Sequence, residues 1–97
     1  MSELTQIILY SKKNCGYCVK AKNLLKNLGL EYTEKKFEDF SDVEKLFEDI
    51  GKNVKSMPQI KINGELIGGY NQLIEYLADK NLVNFKGEIL DNAGQVV

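Results

Sequence analysis

Residues 10–25 read YSKKNCGYCVKAKNLL, and this stretch, Tyr10 to Leu25, holds the only two cysteines of the 97-residue chain. They stand three positions apart, just after a pair of lysines. Upstream, QIILY (Gln6 to Tyr10) is short, apolar and rich in β-branched residues, which suits a strand buried on both faces. Downstream of Cys18, the residues Ala21, Leu24, Leu25 and Leu28 recur at helical spacing, and Gly29 stands where a helix commonly ends in the left-handed conformation. The cysteines therefore fall on the first turn of a helix, at the carboxyl end of a strand.

Working outward, EYTEKKF (Glu31 to Phe37) alternates weakly and reads as a second strand. In SDVE, Ser41 and Glu44 fit a capping box, and Val43, Leu46, Phe47 and Ile50 form the apolar stripe of a second helix that stops at Gly51. MPQIKINGELIGG reads as a hairpin about the turn signal Asn63-Gly64. NQLIEYLADK supplies a last helix with Leu73, Ile74 and Leu77 inward. The order is β-α-β-α-β-β-α, an α/β domain over residues 1–80. Its first βαβ unit is expected to be parallel with a right-handed crossover, and the hairpin to complete a four-stranded mixed sheet flanked by helices. Residues 81–97, NLVNFKGEILDNAGQVV, carry two glycines and no sustained periodicity, and are expected to form an irregular tail that docks or frays. No internal repeat or low-complexity linker stands out.

Composition narrows the function classes. With 43% hydrophobic and 28% charged residues the chain is ordinary for one compact domain with a small core. A net charge of −1, with lysines scattered among acids, gives no field for nucleic acid or an anionic membrane. No apolar run approaches the roughly 20 residues of a membrane span, and the N-terminal residues lack the pattern of a secretory signal. A cytoplasmic location is the expectation. In a reducing cytosol a close cysteine pair points to redox chemistry or metal binding more than to a permanent staple.

Four readings of the pair are open. A structural zinc site needs four ligands, and the chain has no histidine and no second pair. A structural disulfide across two residues closes too short a loop to remove much unfolded-chain entropy. Two unrelated buried cysteines would have no reason to sit together at a strand-to-helix turn. The redox reading also accounts for the neighbours: a thiol at a helix N-terminus sees the positive end of the macrodipole and unpaired N–H groups, which favour the thiolate. On that reading Cys15 is the nucleophile, Cys18 one turn further in is the resolving thiol, and Lys12 adds positive potential.

The strand, CGYC, helix and then SMPQIKINGELIGGYNQL together resemble the glutaredoxins, small thioredoxin-fold proteins with a C-x-Y-C centre, a Thr/Ser-x-Pro loop and a Gly-Gly turn before the last helix. The resemblance covers about Gln6 to Lys80 and implies a glutathione-dependent thiol-disulfide oxidoreductase that reduces protein disulfides and glutathione mixed disulfides. It implies a cis bond before Pro58, with the Met57 backbone pairing to the cysteinyl backbone of glutathione. It implies further that Lys12 meets the glycine carboxylate and that Lys52, or alternatively Lys55, is a second basic contact of the ligand. Gly68 and Gly69 would allow close backbone approach, Asn71 and Gln72 would hold the γ-glutamyl carboxylate, and Tyr17 would flank the ligand. Glutathione is then a co-substrate rather than a tightly bound cofactor, no metal site is expected, and the chain works as a monomer. Glutathionylated or disulfide-bearing proteins, ribonucleotide reductase among them, are the implied partners.

Gly16 departs from the commonest dithiol pattern of that family, which has proline there. Glycine frees the first turn. Some family members with a small residue at this point bridge a [2Fe–2S] cluster between two subunits through the first cysteine and glutathione, so a cluster-carrying dimer using Cys15 is the alternative expectation. The two cysteines of one chain cannot supply the four ligands a cluster needs.

Overall fold

The computed structural model of the protein describes residues 6–91 and 93–96. Strand β1 (Ile7–Ser11) is followed by helix α1 (Gly16–Asn27), strand β2 (Thr33–Lys36), helix α2 (Val43–Ile50), strands β3 (Gln59–Ile62) and β4 (Glu65–Gly68), and helix α3 (Tyr70–Asp79). The sheet order is β2-β1-β3-β4. β1 runs parallel to β2 and antiparallel to β3, and β3 pairs antiparallel with β4. This is the mixed four-stranded sheet of a thioredoxin-like fold. Asn63 and Gly64 both take positive φ, 53° and 84°, as a two-residue hairpin between right-twisted strands demands.

Alternation along β1 separates two cores. Ile7 and Leu9 pack with Ala21, Leu24 and Leu25 of α1 and Leu73, Ile74 and Leu77 of α3. Tyr10 turns to the other face, against Leu46 and Ile50 of α2. The sheet is thus covered by α1 and α3 on one side and by α2 alone on the other. The Tyr10 hydroxyl fastens α2 by donating to Asp49 Oδ2 at 2.7 Å and to the Asp49 carbonyl at 3.1 Å. Lys35 Nζ reaches the same carboxylate at 2.9 Å, and Lys61 Nζ donates to the carbonyl at 2.6 Å.

Several local expectations change. The cap of α2 is Asp42 rather than Ser41: its extended backbone aims Oδ1 at the Lys45 N–H, 2.9 Å away. A carboxylate one position nearer the helix takes the orphan donor, leaving no role for the Ser41–Glu44 box. Val43 is 43% exposed, because an eight-residue helix over the smaller core needs only Leu46 and Ile50 to be fully buried. The second strand is shorter than Glu31–Phe37, since a 3-10 turn over Phe37–Asp39 ends it.

The segment after α3 is more ordered than an aperiodic tail. Val83 is 1% exposed and belongs to the main core. Two successive loops, seven residues apart, carry one hydrogen-bond set. In the first, Asn84 Oδ1 accepts from the Lys86 and Glu88 N–H groups, and the Asn84 N–H donates to the Glu88 carbonyl. In the second, Asp91 Oδ1 accepts from the Ala93 and Gln95 N–H groups, and the Asp91 N–H donates to the Gln95 carbonyl. Gly87 and Gly94 take φ of +83° and +82°, and each loop is closed by a bridge, Val83 to Ile89 and Leu90 to Val96. A short tandem repeat therefore exists that hydrophobic periodicity does not reveal. Its signature is only an Asn or Asp with Gly three positions on, and Asn and Asp are equivalent solely as Oδ1 acceptors.

Candidate functional site

β1 ends at Ser11, and the chain turns through Asn14, at φ +56°, to deliver Cys15 as the N-cap of α1. Cys15 is extended, with φ −116° and ψ 103°, and its Sγ accepts the Cys18 N–H at 3.1 Å. The sulfur therefore occupies the place that a capping oxygen takes in other helices, at the positive end of the dipole. The first turn carries no acidic side chain to oppose a negative sulfur there. Cys15 and Cys18 are joined in a disulfide with Cα atoms 5.2 Å apart. Cys18 is 1% exposed, whereas Cys15 is only partly covered, so an incoming sulfur meets Cys15 first.

The Met57–Pro58 bond is cis. The Met57 carbonyl oxygen lies 3.5 Å from Cys15 Sγ, which brings the loop before β3 against the disulfide. Beside it runs a cleft of about 290 Å³, bounded by Tyr17 of α1, Met57 and Pro58, and the start of α3 from Gly69 to Gln72. The first turn of α3, whose opening N–H groups have no intrahelical partner, forms this wall. Gln72 Oε1 accepts the Gly69 N–H at 3.0 Å, so part of its side chain holds the turn. Gly68 has φ +124°, and a Cβ there would stand 2.9 Å from Gln72 Cγ, so glycine is required by both conformation and space.

Of the residues singled out from the sequence, Tyr17, Met57, Pro58, Gly69, Asn71 and Gln72 meet in this cleft. Gly68 and Lys52 line an adjoining hollow, together with Lys55, that shares Ser56, Gly69 and Gln72 with the cleft. Lys12 stands elsewhere. It lines a hollow of about 480 Å³ on the other flank of the disulfide, with Cys15, Cys18, Lys13 and Lys36. Tyr70 is a cleft residue that sequence reasoning passed over: its ring lies 5.7 Å from that of Tyr17, which is 59% exposed, and Lys20 Nζ sits 5.2 Å above the Tyr17 ring. An aromatic at the first helical position after the Gly-Gly turn was the available signal.

Beneath the second hollow, Ser11 Oγ donates to Glu34 Oε2 at 2.6 Å and Lys22 Nζ to the same oxygen at 3.0 Å. The Ser11 hydroxyl foremost, and Lys22 after it, hold the Glu34 carboxyl below its ordinary pKa. Three elements are tied together there: β1, α1 and β2.

A disulfide at a helix N-terminus, faced by a cis-proline loop on this mixed sheet, defines the thioredoxin-like thiol-disulfide oxidoreductases. The sequence matches the glutaredoxin family over residues 7–67, and the chain belongs to that family. Glutaredoxin 1 of Rickettsia typhi is 36% identical over 84 residues, covering 84% of this chain and 79% of the relative. Reduced Escherichia coli glutaredoxin is similar in structure with a TM-score of 0.66 at 27% identity, covering 77% of this chain and 95% of that one. A buckwheat glutaredoxin–glutathione complex is similar with a TM-score of 0.63 at 29% identity, covering 76% of this chain and 69% of that one. No helix among the described residues is long and apolar enough to cross a membrane.

Proposed function

We propose that the chain is a dithiol, glutathione-dependent oxidoreductase that reduces protein disulfides and glutathione mixed disulfides. The observation that carries this reading is the position of the Cys15–Cys18 disulfide: Cys15 caps α1 at the mouth of a cleft walled by Met57 and the N-terminus of α3. In the reduced chain the Cys15 thiolate attacks one sulfur of a substrate disulfide, and the other sulfur leaves as a thiolate and takes a proton. Cys18, as thiolate, then attacks Cys15 Sγ, releasing the second substrate thiol and forming the intramolecular disulfide. Two electrons have passed to the substrate. Two glutathione molecules restore the dithiol by the same exchanges in turn and leave as glutathione disulfide.

Glutathione fits the cleft by chemistry. Its cysteinyl backbone pairs with the Met57 backbone, and its γ-glutamyl carboxylate sits at the N–H groups of Asn71 and Gln72. Its glycine carboxylate goes to a lysine, with Lys52 and Lys55 adjoining the cleft and Lys12 across the disulfide. A reducing compartment such as the cytoplasm suits this cycle, and ribonucleotide reductase is one acceptor of the required chemistry. Turnover of a glutathione mixed disulfide with glutathione and glutathione reductase, set against NADPH and thioredoxin reductase, is the test. Exclusive turnover with the second pair would sink the reading.

The cluster-bridged dimer is the competing reading. It draws on Gly16, where an added Cβ would meet nothing within 4 Å, so that the Cys15 turn is open to an outside partner. Anaerobic reconstitution with iron, sulfide and glutathione would then yield a brown dimer dependent on Cys15 and independent of Cys18.

A further inference from the structure

The disulfide separates two hollows of different character. The glutathione cleft described above contains no charged side chain among its lining residues. The hollow on the opposite flank, about 480 Å³, carries four lysines and two glutamates. The two glutamates leave the hollow a formal surplus of two positive charges. Glu34 is bound to Ser11 and Lys22, and Glu38 Oε1 is occupied by the backbone N–H of Lys13 at 2.8 Å. Lys12 and Lys13 are exposed, and among the described residues neither has an ion-pair partner within 4.0 Å. Lys36, also exposed, acts on Glu34 only at longer range. The hollow thus presents cations from the end of β1 and the end of β2 to any chain that reaches Cys15 from this side.

From this we infer that the hollow of Lys13 and Lys36 is the seat of the protein substrate, and that it selects disulfides flanked by an acidic segment. The inference rests on the oxidoreductase reading above and names its substrate class. A polypeptide whose cysteine reacts at Cys15 must lay the residues on one side of that cysteine along a flank of the disulfide. Glutathione enters only after the polypeptide has left, so the cleft is open to the residues on one side of that cysteine and the cationic flank takes those on the other. Carboxylates placed there meet the ammonium groups of Lys13 and Lys36, which raises the encounter rate and fixes the direction in which the segment lies. The exchange itself is the one already written, so no further oxidant or reductant is needed.

The test uses the full chain, reduced beforehand with dithiothreitol and desalted, in single turnover without glutathione. Two disulfide-linked peptides of equal length serve as probes, one with three Glu residues beside its cysteine and one with Gln in their place. The acidic probe is expected to be reduced about tenfold faster at low ionic strength, with the difference closing at high salt. In Lys13→Gln/Lys36→Gln the preference should fall to about twofold or less, while turnover of a small glutathione mixed disulfide and the KM for glutathione stay at the wild-type values. Equal rates for the two probes in the wild type would overturn the inference. So would a double variant that keeps the preference, or one whose KM for glutathione rises, since the hollow would then belong to glutathione. Because the reduction is run without glutathione, failure of the glutathione-coupled assay refutes the functional reading alone and leaves the comparison of probes standing.

Discussion

Tyr10→Phe probes the hydrogen-bond cluster at Asp49 that fastens α2 to the sheet. Tyr10 is 1% exposed, and phenylalanine keeps its ring packing against Leu46 and Ile50, so the change removes a donor and opens no cavity. What is lost is the bond to Asp49 Oδ2 at 2.7 Å and the longer one to the Asp49 carbonyl. Hydrogen bonds to charged groups contribute about 1.5–3 kcal/mol. The Asp49 side chain is 34% exposed and keeps Lys35, so water replaces part of the missing donor and the lower end, about 1.5 kcal/mol, is expected. For a domain of this size the corresponding fall in Tm is roughly 6–12 °C. The pH dependence follows from Asp49, whose carboxyl lies below its ordinary 3.8, first through the Tyr10 hydroxyl and then through Lys35. A depressed folded-state pKa means that the unfolded chain binds the proton more tightly. The stabilisation is therefore complete above about pH 4 and is lost as pH falls through the folded-state value. Urea titrations of both proteins at pH 7 and at pH 3 measure this: the difference between them should shrink at the lower pH. A loss of the same size at both, or none at pH 7, would refute the electrostatic part of the argument.

Alkylation of the reduced protein at mildly acidic pH should label Cys15 before Cys18, because Cys15 caps α1 and is the more accessible sulfur; peptide mapping that finds Cys18 labelled first reverses the roles. Cys18→Ser should keep deglutathionylation of a small mixed disulfide and lose most protein-disulfide reduction, whereas Cys15→Ser should lose both, as steady-state assays on the two substrates will show. Gly68→Ala should destabilise by about 2 kcal/mol and raise the KM for glutathione, since its Cβ would press Gln72 out of its bond to Gly69 at a φ that alanine disfavours; calorimetry and kinetics together check it. Gly16→Ala should raise stability by about 0.5–1 kcal/mol, because the first helical position has open space around an added Cβ and the unfolded chain loses freedom; a lower denaturation midpoint would mean that this turn needs glycine.

The order of elements, the position of the cysteines at a strand-to-helix turn, the Asn63-Gly64 hairpin and the inward faces of α1 and α3 were legible without coordinates. Each is a local matter, set by apolar periodicity and by residues with restricted backbone conformations. The meeting of Tyr17, Met57, Asn71 and Gln72 at one cleft was legible only through resemblance, since these residues lie on three segments far apart in sequence. Other features had no local signal at all. Asp49 sits on an ordinary helix until Tyr10, Lys35 and Lys61, from three strands, converge on it. Lys12 and Lys13 read as one basic pair, and only the packing of α1 and β2 on either side of β1 turns them into the rim of a hollow apart from the cleft. Apolar periodicity and turn residues set which strands and helices form and where the thiols lie. Which charges gather on one flank of the disulfide was decided by tertiary packing, because those groups are brought together by sheet order rather than by chain distance.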